Sequence, residues 1–125
     1  MRFLSGYVAA TTACLLVGCG AAAPVPAEQV TQTEGAIRAA SEVGAPSVPK
    51  AALHLKMAND QLATAKGLIA EESNEEARLA LDRARVDAEL AIALAKEATL
   101  RAQAEEALEK VKKLRAEATS SSTAR

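Results

Sequence analysis

Aromatic residues are almost missing from this chain: Phe3 and Tyr7 are the only ones in 125 residues, and tryptophan is absent. Whatever folds after the first few positions must build its core from Ala, Leu, Val, Ile and Met alone. The β-branched and aromatic runs that favour strands are lacking, so no sheet is expected. Cysteine is nearly as scarce. Cys14 and Cys19 both fall in the apolar start of the chain, which leaves the remainder without a disulfide framework or a thiolate metal site. His54 is the sole histidine, and with no second His or Cys to join it no metal is assigned. An excess of one charge is missing too, because 15 Lys and Arg stand against 16 Asp and Glu. A nucleic-acid partner would call for a basic face, and none is expected. No serine sits in a Gly-flanked elbow and the glycines form no phosphate-cradling loop, so an enzyme is not expected either.

What is present begins with a leader. Met1 and Arg2 give a short positive start, and Phe3 to Val17 is mostly apolar or small, the pattern of a secretion signal. The stretch is too short, and too polar at Thr11 and Thr12, for a membrane span. It ends in Leu16-Val17-Gly18-Cys19, which resembles the lipobox of bacterial lipoproteins. Gly18 leaves the bond before Cys19 open to a peptidase, and the Cys19 sulfur can form a thioether to a lipid. The resemblance implies cleavage after residue 18 and a diacylglycerol plus an N-acyl chain on Cys19. Together these suffice for stable attachment where one chain would not. No other cofactor is expected. Gly20 and Ala21 follow, with no Asp, which in lipoproteins of the enteric type implies the outer membrane, periplasmic face.

After the anchor, Pro24 and Pro26 mark a short tether over 19–27. A helical domain is expected over 28–118, with helices at about 28–43, 50–72 and 75–118, followed by a disordered Ser/Thr-rich tail at 119–125. Val30, Ile37, Ala40 and Val43 recur at helical intervals in the first helix, although Thr31, Thr33 and Gly35 weaken it. Gly44 suits the end of that helix and Pro49 the first turn of the next. The second helix carries Ala51, Leu55, Ala58, Leu62, Ala65 and Ile69 in a four-three seam. Ser73 and Glu76 have capping-box spacing, and the neighbouring acids Glu71, Glu72 and Glu75 are read as serving a helix terminus rather than as catalytic carboxylates.

The third helix has no Gly or Pro and would reach about 65 Å. Its first half bears Ala77, Leu81, Ala84, Ala88, Ala91, Ala95, Ala98 and Ala102, an alanine seam that lets two backbones approach closely. Past residue 98 a second stripe takes over through Leu100, Ala104, Ala107, Val111, Leu114 and Ala118. The second helix is too short to cover it, so Leu100, Ala104, Val111 and Leu114 are the candidate partner-binding residues. Arg83/Asp87, Arg85/Glu89, Glu97/Arg101, Glu106/Lys110 and Glu109/Lys113 are spaced for surface ion pairs. Lys110, Lys112, Lys113 and Arg115 make a basic end, expected to complement the helix C-terminus, with contact to anionic lipid or wall polymer as the rival reading.

The segment Glu34 to Leu108 resembles the small helical lipoprotein family called domain of unknown function 4398. Gly44-Ala45, Leu55, Ala58, Leu62, Ala65, Glu76-Ala77 and the alanine repeat Ala84 to Ala95 carry the likeness. Pro49 comes about three residues earlier than in the family pattern, and no OmpA-like domain follows. The resemblance implies a periplasmic helical hairpin and supplies no activity.

The expected fold is thus all-α: an antiparallel hairpin or three-helix bundle with a long overhanging C-terminal helix. The expected role is a membrane-anchored adaptor of the cell envelope, engaging a second copy or another envelope protein. A carrier of an apolar lipid or peptide is the alternative. A peptidoglycan tether ranks third: the chain ends in Ala124-Arg125 where the murein lipoprotein is attached through a terminal lysine, which leaves noncovalent contact with the wall as the form expected.

Overall fold

The computed structural model describes residues 24–123. The leader, the tetrapeptide ending at Cys19 and the first part of the tether lie outside the described residues. Three helices follow in order: α1 (Ala27–Glu42), α2 (Pro49–Ala70) and α3 (Asn74–Thr123), with a single 3₁₀ turn (Ala45–Ser47) between the first two. The described residues contain no strand. The fold is all-α, a three-helix bundle with one helix far longer than its neighbours.

Each connection has a local cause. Gly44 takes a left-handed φ of 86° just past α1, and its N–H bonds back to the Ser41 carbonyl at 3.1 Å. Pro49 then opens α2, where its missing N–H costs nothing. At the other end of α2 the chain forms a Schellman closure: Glu72 N–H reaches Ile69 O at 3.1 Å and Ser73 N–H reaches Leu68 O at 2.9 Å. Glu72 holds a φ of 60° there, a position that glycine fills at lower cost. Ser73 precedes α3 and its carbonyl accepts the Ala77 N–H at 3.0 Å.

The bundle is built around alanine. Ala51, Ala58 and Ala65 on α2 and Ala77, Ala84, Ala88 and Ala91 on α3 are completely buried. Side chains of one carbon allow axes to approach to about 8 Å, so contact between backbones replaces the bulky core that this composition cannot supply. Leu62, Ala65, Leu81 and Ala84 form one cluster near the α2–α3 turn, with Val30 and Ile37 of α1 against it. Ala40, Ala45, Ala51, Ala91 and Ala95 form the other, near the first turn.

These pairings fix the directions. Ala65 meets Leu81 while Ala51 meets Ala91, so α2 runs antiparallel to α3. Thr33 of α1 lies against Leu81 while Ala40 meets Ala91 and Ala95, so α1 runs parallel to α3. Thr33, read from sequence as a weakness in α1, is 1% exposed and donates its hydroxyl to the Leu81 carbonyl at 3.5 Å.

One expectation is corrected. The tail expected to be disordered from residue 119 continues α3 as far as Thr123. The hydroxyls of Thr119, Ser120 and Ser121 turn back onto the carbonyls of Arg115, Glu117 and Ala118, satisfying themselves along the helix instead of competing with it. With 50 residues, α3 is about 75 Å long.

Candidate interaction surface

Two residues along an α-helix turn the side chain by about 200°, nearly to the opposite face. The buried seam of α3 runs through Ala77, Leu81, Ala84, Ala88, Ala91 and Ala95. Shifted by two is a second series, Leu79, Val86, Ala93, Leu100, Ala107 and Leu114, repeating every seven residues. It faces away from α1 and α2: Leu79 is 59% exposed, Val86 57% and Leu100 63%. Leu90, Ala104, Val111 and Ala118 fill the alternate places of the same seam. The helix therefore has two apolar faces, and the bundle uses only one.

The faces end differently. The inner seam passes through Ala98 and Ala102 and then meets Glu105 and Glu109, turning polar where α2 stops. The outer seam is broken by Arg83 and Glu97 beside the bundle and becomes wholly apolar beyond it. From Leu100 to Ser121 every residue is exposed. The overhang from 100 to 123 is about 36 Å of single helix.

The sequence-predicted Leu100, Ala104, Val111 and Leu114 all lie in this overhang, on one face. What the sequence reading missed is their continuation back to Leu79 through Ala93, Leu90 and Val86. The seven-residue spacing was the available signal, masked by the stronger alanine repeat. At the root of the overhang two open grooves flank α3. One, of ≈ 450 Å³, lies between Val48 and Pro49 and the α3 residues Leu94, Ala98 and Arg101. The other, of ≈ 350 Å³, includes Val43, Lys96, Thr99, Leu100 and Gln103.

Polar contacts join the helices of the bundle to one another. Asp87 of α3 does not reach for Arg83; it turns inward, where one carboxylate oxygen lies 2.8 Å from His54 Nδ1 and the other accepts from Gln61 Nε2 at 2.8 Å. His54 and Gln61 are one heptad apart on α2, so this half-buried bridge sits between the two apolar clusters and resists sliding of α2 along α3. Lys66 Nζ bonds Glu34 Oε1 at 2.6 Å, joining α2 to α1, and this contact with the ammonium charge holds the Glu34 carboxyl below its ordinary range. The spaced pairs Arg85/Glu89 and Arg101/Glu97 form. Glu109 pairs with Lys112 at 2.6 Å instead of the expected Lys113.

The basic group Lys110 to Arg115 does not cap a helix end. Because α3 runs on to Thr123, it lies about two turns inside, and the last turn holds no basic residue. Among the described residues no three His, Cys, Asp or Glu side chains come together as a metal-binding group. No described helix is long and apolar enough to cross a membrane.

Compared with known families, residues 28–107 match the sequence model of one described as "Domain of unknown function (DUF4398)". The matched stretch covers α1, α2 and the bundled part of α3, and stops within the overhang. No curated protein and no solved structure matches the chain.

Proposed function

Because this chain belongs to the DUF4398 family, whose matched segment is the helical body and not its leader, we propose that it is a lipid-anchored adaptor of the bacterial envelope, its family domain held at a membrane by Cys19. The observation that carries this reading is Leu16-Val17-Gly18-Cys19 at the end of an apolar leader. Attachment through a diacylglycerol and an N-acyl chain needs no spanning helix, in keeping with a body in which no described helix is long and apolar enough to cross a bilayer. The absence of Asp after Cys19 favours the periplasmic face of the outer membrane. The adaptor role rests on the outer face of α3, which presents Leu100, Ala104, Val111 and Leu114 to a protein partner. Apolar area in a continuous row of this kind marks an interaction surface.

Mass spectrometry of the processed amino terminus tests the anchor. The expected product begins at Cys19, carries three acyl chains and enters the detergent-rich phase on temperature-induced separation; Cys19→Ala stays in the aqueous phase. An unmodified amino terminus in the wild type would refute the proposal.

A further inference from the structure

The outer seam of α3 has the periodicity of a two-stranded coiled coil. With Leu79, Val86, Ala93, Leu100, Ala107 and Leu114 at d, the a positions are Arg83, Leu90, Glu97, Ala104, Val111 and Ala118. The flanking residues then decide which partner this face accepts. The g positions are Asp82, Glu89, Lys96, Gln103, Lys110 and Glu117, and the e positions include Asp87, Arg101, Leu108 and Arg115.

Parallel, in-register pairing of two copies brings each g against the e five residues on. It would oppose Lys96 to Arg101 and Lys110 to Arg115, with no attractive pair in return; Asp87 takes no part, being turned inward to His54 and Gln61. It would also stack Arg83 on Arg83 and Glu97 on Glu97. Antiparallel pairing sets g against g and e against e. When residues whose numbers sum to 211 share a layer, Leu100 packs on Val111 of the second copy and Ala104 on its Ala107. Lys96 then faces Glu117 on both sides of the dimer, and Gln103 faces Lys110. Arg101 falls beside Leu108 and Arg115 beside Leu94, so no like charges meet. A shift of one heptad towards the C-terminus opposes Arg101 to Arg115 and Lys110 to itself. A shift the other way opposes Lys96 to Lys110 and Glu89 to Glu117.

We infer that the chain associates with a second copy of itself through the outer face of α3, as an antiparallel coiled coil centred between Glu105 and Glu106. This deepens the adaptor reading by naming the partner. The overlap, from about residue 90 to 121, is a strip about 48 Å long and about 10 Å wide. It buries roughly 1,000 Å² over both copies, near the lower bound for a specific interface and within the size range of weak, reversible ones. The pairing also accounts for a continuous helix beyond the bundle. A single strand of this length is marginal in water, whereas the partner's overhang covers it on its apolar side. Lys96 and Glu117 lie on the exposed surface, so changing their charge leaves the bundle intact.

The test is sedimentation velocity of the full chain in mild detergent, from about 1 to about 200 µM, for wild type, Lys96→Glu, Glu117→Lys and the double variant. A monomer–dimer equilibrium is expected in the wild type. Either single exchange turns two attractive pairs into repulsive ones and should weaken the dimer about tenfold; the double variant should return within about threefold of wild type. Parallel pairing predicts the opposite sign for Lys96→Glu, because the new acid would meet Arg101. A chain monomeric throughout, a tighter or unchanged Lys96→Glu dimer, or a double variant as weak as the singles would each overturn the inference. A monomer that still carries lipid on Cys19 leaves the anchor proposal standing, and a dimer without lipid does the reverse.

Discussion

Leu81 and Leu79 are two residues apart on one helix, and the structure gives them opposite environments: Leu81 is 1% exposed and Leu79 59%. Replacing Leu81 with alanine removes three carbon atoms from the cluster shared with Leu62, Ala65 and Ala84. At about 0.8 kcal/mol for each buried carbon the transfer term is about 2.4 kcal/mol. The space left behind adds to this, as in other buried leucine truncations costing about 2–5 kcal/mol. Val30, Ile37 and Leu68 are only partly buried beside the site and can move inward, while alanine's better helix propensity returns a few tenths of a kcal/mol. A loss of about 2.5–3 kcal/mol follows. For a folded body of this size that lowers Tm by roughly 10–20 °C. Leu79→Ala removes the same atoms from the outer face and should cost less than about 0.5 kcal/mol. Its place in the outer seam lies beyond the reach of the proposed second copy, so association does not disturb the comparison. Circular dichroism at 222 nm during urea unfolding of both variants measures the difference. Equal losses, or a larger loss for Leu79→Ala, would show that the bundle packs on the wrong face of α3 and would refute the assignment of inner and outer seams.

Two further outcomes are expected from the turns and ion pairs. Glu72→Gly should stabilise the chain by about 0.5–1 kcal/mol, because glycine adopts the 60° φ at the end of α2 without strain; a lower unfolding midpoint would count against the Schellman geometry. Glu34 is held below 4.5 by its hydrogen bond and charge attraction to Lys66. Its contribution is therefore fully present above pH 4.5 and is lost as pH falls through the lowered folded value. Wild type should be more stable than Glu34→Gln at about pH 6, the difference shrinking towards about pH 3; a gap that widens on acidification would contradict the contact.

The helices and their inward faces were legible because the four-three spacing of Ala51 to Ile69 and of Ala77 to Ala102 depends only on the local period. The turn at Gly44 and Pro49 was legible for a similar reason: both residues have narrow conformational preferences. What remained hidden depended on a neighbour or on geometry without a marker residue. Thr33 looks like a poor helix former until the Leu81 carbonyl is beside it. Asp87 has Arg83 one turn away along the chain, yet engages His54 and Gln61 across the interface. Glu72 gives no hint of a left-handed backbone, and the serines after Ala118 suggest unravelling until their hydroxyls are seen bonding backward. Of the candidate partner-binding residues, the stripe from Leu100 to Ala118 was visible. Its extension to Leu79 was not, since only the packing of α2 shows which of the two apolar faces is occupied.

The parallel course of α1 and α3 places Pro24 beside Arg78, with the Pro24 carbonyl accepting from that guanidinium at 3.2 Å. The point where the chain enters the bundle is therefore at the opposite pole from the tip of α3. Anything gripping the protein at its entry point holds a rigid spoke by the hub, and the lysines around residue 112 ride about 50 Å farther along it. In the antiparallel pair the second copy's entry point stands about 80 Å away at the other end of the coiled coil, so two copies held at one surface lie along it instead of standing upright, and both sets of lysines are kept near that surface.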